Sequence, residues 1–128
     1  MINKINKHGL YIHIPLCLSK CRYCDFYKVT PKQWIGTDKF LESLEIDFKN
    51  LPLTFTPTSI FIGGGTPNAL TTEYYKELMN LIKKYVDTSL VEEWTSEANP
   101  SSLDEYKIEI MLSTGINRLS LGIQSFNN

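Results

Sequence analysis

The sequence predicts an α/β protein, with about three and a half βα units of a larger (β/α) barrel in the chain's 128 residues. Short apolar runs recur between longer stretches of helical period, which is the pattern of strands alternating with helices. Proline and glycine punctuate the junctions, at Pro15, Pro52, Pro67, Pro100 and Gly115. The connections are long enough for parallel strands with right-handed crossovers, which puts the helices on the outside.

Four strands and three helices follow in order. The first strand, near residues 10–14, alternates Leu10, Ile12 and Ile14 with Tyr11 and His13, and Pro15 ends it. The cysteine segment comes next. The first helix, about residues 38–51, carries Leu41, Leu44, Phe48 and Leu51 on one face and stops at Pro52. The run Ser59, Ile60, Phe61, Ile62 reads as a buried strand entering Gly63, Gly64, Gly65, Thr66 and Pro67. The second helix, about residues 72–86, shows Tyr75, Leu78, Ile82 and Tyr85 at helical spacing. A third strand near residues 91–97 leads through Asn99 and Pro100 to an expected capping box of Ser102 and Glu105. Its helix should end at Gly115, and residues 118–123 form the fourth strand.

A full eight-unit barrel takes ~250 residues. Residues 1–128 are therefore expected to form the N-terminal part of one barrel domain, with the remaining strands beyond Asn128; Met1 reads as a natural start. With 42% hydrophobic and 21% charged residues the chain is globular in makeup. A net charge of −1 supplies no basic field for nucleic acid. No run is long and apolar enough for a membrane span, and residues 1–7 are too polar for a secretory signal, so the expected location is the cytoplasm.

The cysteines carry the strongest chemical signal. Cys17, Cys21 and Cys24 form a CxxxCxxC segment directly after the first strand, an odd number that makes a poor disulfide framework. Three thiolates fall one short of closing a tetrahedral ion or a cubane cluster. A [4Fe–4S] cluster so held leaves one iron open to a bidentate small molecule. The alternatives are a zinc knuckle recruiting His13 or Asp25, or three unmetallated thiols. The triple glycine removes side chains from a strand end and so admits close approach of a ligand to the backbone, whereas its plainer reading is a loop before a helix. Alternation places Tyr11, Glu97, Ser120 and Gln124 on the face opposite the apolar residues, converging at the C-terminal strand ends where barrel sites form. Taken alone, Glu97 also reads as a solvated strand-end carboxylate. His13 is read as a structural hydrogen bonder, Trp34, Phe48 and Trp94 as packing, and Arg118 as the partner of a carboxylate at the opposite end of the strands.

Five segments in order and separation carry a resemblance: residues 11–17 (YIHIPLC), Cys24-Asp25-Phe26, the triple glycine with Thr66-Pro67, Glu97-Ala98-Asn99-Pro100, and Gly122-Ile123-Gln124-Ser125-Phe126. The chain resembles the N-terminal half of the radical S-adenosylmethionine (SAM) superfamily, in its coproporphyrinogen III oxidase-like branch with the HemW-type heme chaperones. The resemblance implies a TIM-like barrel. It also implies that Cys17, Cys21 and Cys24 ligate a [4Fe–4S] cluster whose reduction cleaves SAM to methionine and a 5′-deoxyadenosyl radical. It assigns cofactor contacts to Tyr11, Tyr23, Gly64, Gly65, Thr66, Glu97 and Gln124.

Dehydrogenases of this branch carry a fourth cysteine two residues after the third, where this chain has Phe26. The resemblance thus implies a HemW-like protein of porphyrin metabolism, binding heme in its full-length form and handing it to an acceptor protein. An oxygen-independent coproporphyrinogen III dehydrogenase is the enzymatic alternative, and an inactive fragment or simple metal-binding module is the third. The family's later SAM contacts, its heme-associated histidine motif and its C-terminal domain are expected beyond residue 128.

Overall fold

The computed structural model describes residues 7–127; residues 1–6 and 128, including the start read at Met1 and most of the polar N-terminal segment, lie outside the described residues. Four parallel strands, β1 (Gly9–Ile14), β2 (Ser59–Gly64), β3 (Glu93–Ala98) and β4 (Arg118–Leu121), lie side by side in sequence order. The crossovers carry the helices α1 (Thr37–Lys49), α2 (Thr72–Tyr85) and α3 (Glu105–Thr114). Strands in sequence order joined by crossover helices are what a barrel wall requires, as the alternating pattern implied.

One face of the sheet is apolar. Ile12 and Ile14 of β1, Ile60 and Ile62 of β2, and Trp94 of β3 are buried against Leu41 and Phe48 of α1, Tyr75, Leu78, Met79 and Ile82 of α2, and Met111 of α3. Tyr75 brings a hydroxyl into this layer and places it 3.2 Å from Ser96 Oγ; burial pushes its phenol up to about 12. Trp94 and Phe48 are core residues as expected, and Trp34 packs at the core's margin against Phe40. The strand register puts Tyr11, Phe61 and Thr95 in one row and His13 beside Gly63, all on the face away from the helices.

Four boundaries differ from expectation for identifiable reasons. Strand β2 runs through Gly63 and Gly64, because these residues pair with His13 and Ile14 of β1. The N-cap of α3 is Asp104, whose carboxylate accepts from Lys107 N at 2.8 Å, and not Ser102. Ser102 instead closes a short 3₁₀ turn, Pro100–Ser102, capped by the Asn99 side chain. Strand β3 begins at Glu93, since Val91 N bonds back to Thr88 O in a turn. Strand β4 ends at Leu121, where Ile123 N turns back to Leu121 O. Gly115 does close α3, in the left-handed conformation.

At the N-terminal end of the strands Arg118 bonds Glu93 Oε1 at 3.1 Å, the carboxylate partner expected for it. No helix among the described residues is long and apolar enough to cross a membrane.

Candidate functional site

The chain leaves β1 through Pro15, makes the cysteine loop, and returns to the strand end. Leu16 and Val29 form an isolated parallel bridge, with Cys17 N donating to Val29 O at 2.9 Å and Val29 N to Pro15 O at 2.8 Å. The loop is thereby pinched shut at its base, and all three cysteines sit within the pinched segment as free thiols. Lys28 Nζ donates to the Cys24 carbonyl, and together with the Phe26 N–H it holds the Cys24 thiol below its ordinary value. Cys17 Sγ lies 3.7 Å from Thr66 Oγ1, which ties the first cysteine to the segment after β2.

The glycines also serve the fold itself. Their backbone N–H groups are already used: Gly64 N donates to Glu97 Oε2 at 3.0 Å, Gly65 N to Ile14 O and Thr66 N to Leu16 O at 2.7 Å each. A Cβ on Gly65 would lie 2.5 Å from Leu16 O, so this glycine lets the cysteine loop close onto the strand end. Gly64 has φ +113°, and a Cβ there would meet the His13 ring at 2.7 Å. The side-chain-free surface is occupied first by the protein's own atoms, and only the remainder is open to a ligand.

Glu97 stands at the centre. One carboxylate oxygen holds Gly64 N, which orients the side chain toward the glycine end of β2 and leaves the other oxygen as an acceptor. Burial, then the Glu97 charge, push the Tyr11 phenol above its ordinary value. Tyr11 donates or accepts a hydrogen bond with His13 Nδ1 at 2.8 Å, and its ring lies 6.0 Å from that of Phe61. His13 Nε2 reaches Tyr27 O at 3.0 Å. Both nitrogens of His13 are therefore engaged, in keeping with its reading as a hydrogen bonder and leaving no ring nitrogen free for zinc.

An open cavity of about 310 Å³ lies at the C-terminal ends of the strands. Cys17, Cys21, Tyr23, Cys24, Gly64, Gly65, Thr66, Glu97 and Gln124 all line it. Of the residues for which the resemblance implied a metal or cofactor contact, Tyr11 alone lies outside its wall, one register row further down the inner face. Gln124 reaches the cavity from irregular chain beyond β4, so strand alternation is not what brings it there. Three thiols on a short loop, a carboxylate, and a strand end without side chains suit a polynuclear metal centre and a zwitterionic ligand bound next to it. The thiols, free and facing one cavity, fit that group. Among the described residues no three His, Cys, Asp or Glu side chains are arranged to hold a metal ion as they stand, so the fit rests on the donor set.

Sequence reasoning missed four contributors. Lys28 and Ser101 line the cavity, and neither has a distinctive neighbourhood in the sequence. Asn68 is fully buried and exchanges hydrogen bonds with Asn99, through Nδ2 to Asn99 O at 2.8 Å and Oδ1 from Asn99 N at 2.9 Å. Lys107 buries its ammonium against the carbonyls of Asn68 and Ser102. The two loops that wall the cavity are thus stitched together from below. Only the position of Asn68 directly after Thr66 and Pro67 hinted at this.

The family model of the Radical SAM superfamily matches residues 11–128. The chain is 42% identical over 128 residues to the heme chaperone HemW of Buchnera aphidicola subsp. Schizaphis graminum, covering 98% of this chain and 34% of that protein. It is 39% identical over 128 residues to the heme chaperone HemW of Lactococcus lactis, covering 100% and 33% respectively. Among solved structures it is similar to coproporphyrinogen III oxidase (HemN) from Escherichia coli, a radical SAM enzyme, with TM-score 0.80 and 29% identity over 93% of this chain and 28% of that one. The chain spans about a third of the length of the curated relatives it matches.

Proposed function

The chain belongs to the radical SAM superfamily, and from that premise we propose that it carries a [4Fe–4S] cluster on Cys17, Cys21 and Cys24 and binds SAM beside it, as the first part of a HemW-like heme chaperone. The observation that carries this reading is the convergence of three free thiols, the glycine end of β2 and the Glu97 carboxylate on one cavity. When bound and reduced, the cluster supplies an electron for cleavage of SAM. The protein's part is to hold and orient the ligand and to exclude competing reactions.

Each residue has a role consistent with its surroundings. The free oxygen of Glu97 would accept from the SAM amine, since the other oxygen is bound to Gly64 N. The strand end at Gly64, Gly65 and Thr66 gives the methionyl group space without side chains, while Tyr23 and Gln124 flank the cavity where a nucleoside would lie. Tyr11, one register row below the cavity wall, would reach the ligand from the inner sheet face. We further propose that residues 1–128 form the N-terminal part of a larger radical SAM barrel in a cytoplasmic protein. In this reading the longer protein binds heme and passes it to an acceptor protein. The relatives named heme chaperones, and Phe26 where the dehydrogenases carry a fourth cysteine, favour this over coproporphyrinogen oxidation.

Anaerobic reconstitution with iron and sulfide tests the proposal. A brown protein with about four iron and four sulfide per chain is expected, with loss of the chromophore in Cys17→Ala, Cys21→Ala or Cys24→Ala. A colourless protein holding one zinc per chain would overturn it. Heme titration of a version extended to the relatives' full length should show saturable binding, and conversion of coproporphyrinogen III without heme affinity would assign it to the dehydrogenases instead.

A further inference from the structure

We propose that His13 is the positioning residue of the site: its Nε2 clips the returning limb of the cysteine loop, and its Nδ1 accepts the hydrogen bond of the Tyr11 hydroxyl, so that one imidazole sets both the loop and the polarity of the tyrosine. The first half stands on geometry alone. The second rests on the cluster and SAM reading above.

The chemistry of the three partners fixes the proton positions. Tyr27 O is a carbonyl and only accepts, so Nε2 at 3.0 Å must carry the proton. A neutral ring protonated at Nε2 has its lone pair on Nδ1, and the Tyr11 hydroxyl at 2.8 Å must then donate. An ordinary phenol is protonated at neutral pH and able to do so, and burial and the nearby Glu97 push its value further up. The outer lone pairs of the Tyr11 oxygen are what remains for a ligand. Tyr11 therefore presents an acceptor, suited to an ammonium or hydroxyl group and unsuited to a carboxylate.

The same ring is wedged between elements far apart in sequence. Tyr27 lies three residues past Cys24, where the loop turns back toward the Leu16–Val29 bridge. On its other side the ring fills the space where Gly64 lacks a Cβ. His13 thus touches the base of the cysteine loop, the glycine end of β2 and the hydroxyl of Tyr11, and forms a rigid seat for all three.

Asparagine and glutamine separate the two contacts. The amide of His13→Asn overlays Nδ1 and can still accept from Tyr11, but it is too short to reach Tyr27 O. The amide of His13→Gln reaches Tyr27 O but leaves nothing at Nδ1. In the metal-free 128-residue chain, hydrogen exchange across residues 17–29 should be about three- to tenfold faster in H13N, the worth of one net hydrogen bond, and unchanged in H13Q. Protection of α2 should stay as in the parent chain. In the reconstituted chain, SAM affinity read from perturbation of the cluster's EPR spectrum should fall by about three- to tenfold in H13Q and equally in Tyr11→Phe, with no further loss in the double variant.

Unchanged loop exchange in H13N, or equal acceleration in H13N and H13Q, overturns the clip. Loss of α2 protection together with the loop makes His13 a general fold residue and also overturns it. Parental SAM affinity in H13Q alongside weakened binding in Y11F overturns the polarity half. If the parent chain assembles no cluster, the functional reading has failed, and the loop exchange still decides the clip.

Discussion

Single residues at the glycine end of β2 show how function and fold compete for the same atoms. Gly64 and Gly36 both have positive φ, +113° and +100°, but a Cβ on Gly36 would meet nothing within 4 Å while one on Gly64 would strike the His13 ring. Gly36→Ala should cost backbone strain alone, about 1–3 kcal/mol, and Gly64→Ala measurably more. Urea denaturation of the two variants against the parent checks the order. Glu97→Gln keeps an oxygen for Gly64 N but removes the charge. SAM affinity should fall about ten- to a hundredfold, the worth of a charge-assisted hydrogen bond, with little change in the urea midpoint. The cysteines and the glycines that line the cavity were legible from local spacing, three cysteines within one segment and three glycines at one strand end, whereas Tyr23 was pointed to by the family resemblance alone. The hydrogen bonds that occupy those glycines were not legible. They depend on Glu97, Ile14 and Leu16 arriving from other strands, which no local pattern encodes.

Among the elements, α1 and α2 are joined at their exposed edges by Glu45, which accepts from the Tyr85 hydroxyl and from Lys84 at 3.2 Å, with Lys49 3.5 Å away. These partners, the Tyr85 bond foremost, hold its carboxyl down from an ordinary 4.5 to about 2. A group lowered on folding contributes stability that is full above its unfolded value and is lost as pH falls toward the folded one. Between about pH 4.5 and 2 the parent chain should lose stability more steeply than Glu45→Gln, as urea midpoints measured across that window would show. Added salt should narrow the difference. At the start of α3, Asp104→Ala should cost about 1 kcal/mol by removing the bond to Lys107 N, whereas Ser102→Ala should leave the helix unchanged. The elements themselves were readable from periodicity and from Pro and Gly, and the misplaced cap explains the limit of that reading. Ser102 and Asp104 are both good caps, and the choice falls to the second because Asn99 and Lys107 draw the earlier residues into a 3₁₀ turn.

At the scale of the whole molecule, the sheet has one face under helices and two edge strands, β1 and β4, each paired on one side only among the described residues. Strand β4 pairs with β3 only, and its Leu119 and Leu121 share the helix-side face of Ser96 and Ala98 yet stay 39% and 44% exposed. Their apolar alternation was legible in the sequence, but it marks a surface that α1 to α3 do not cover. An edge of this kind is a template for association. Light scattering of the isolated chain should show concentration-dependent oligomers, and Leu119→Lys with Leu121→Lys should reduce them. The bridge between Leu16 and Val29 bears on the molecule in another way. Because both ends of the cysteine loop are fastened at one point of the sheet, the segment between them is an insert whose closure the fold has already met, and each doubling of its length would cost only ~0.6 kcal/mol more. The wall of the barrel and the metal-bearing loop are in that sense separable parts: the loop can be lengthened, shortened or exchanged for another donor set as a cassette, while the strands beneath it keep their register.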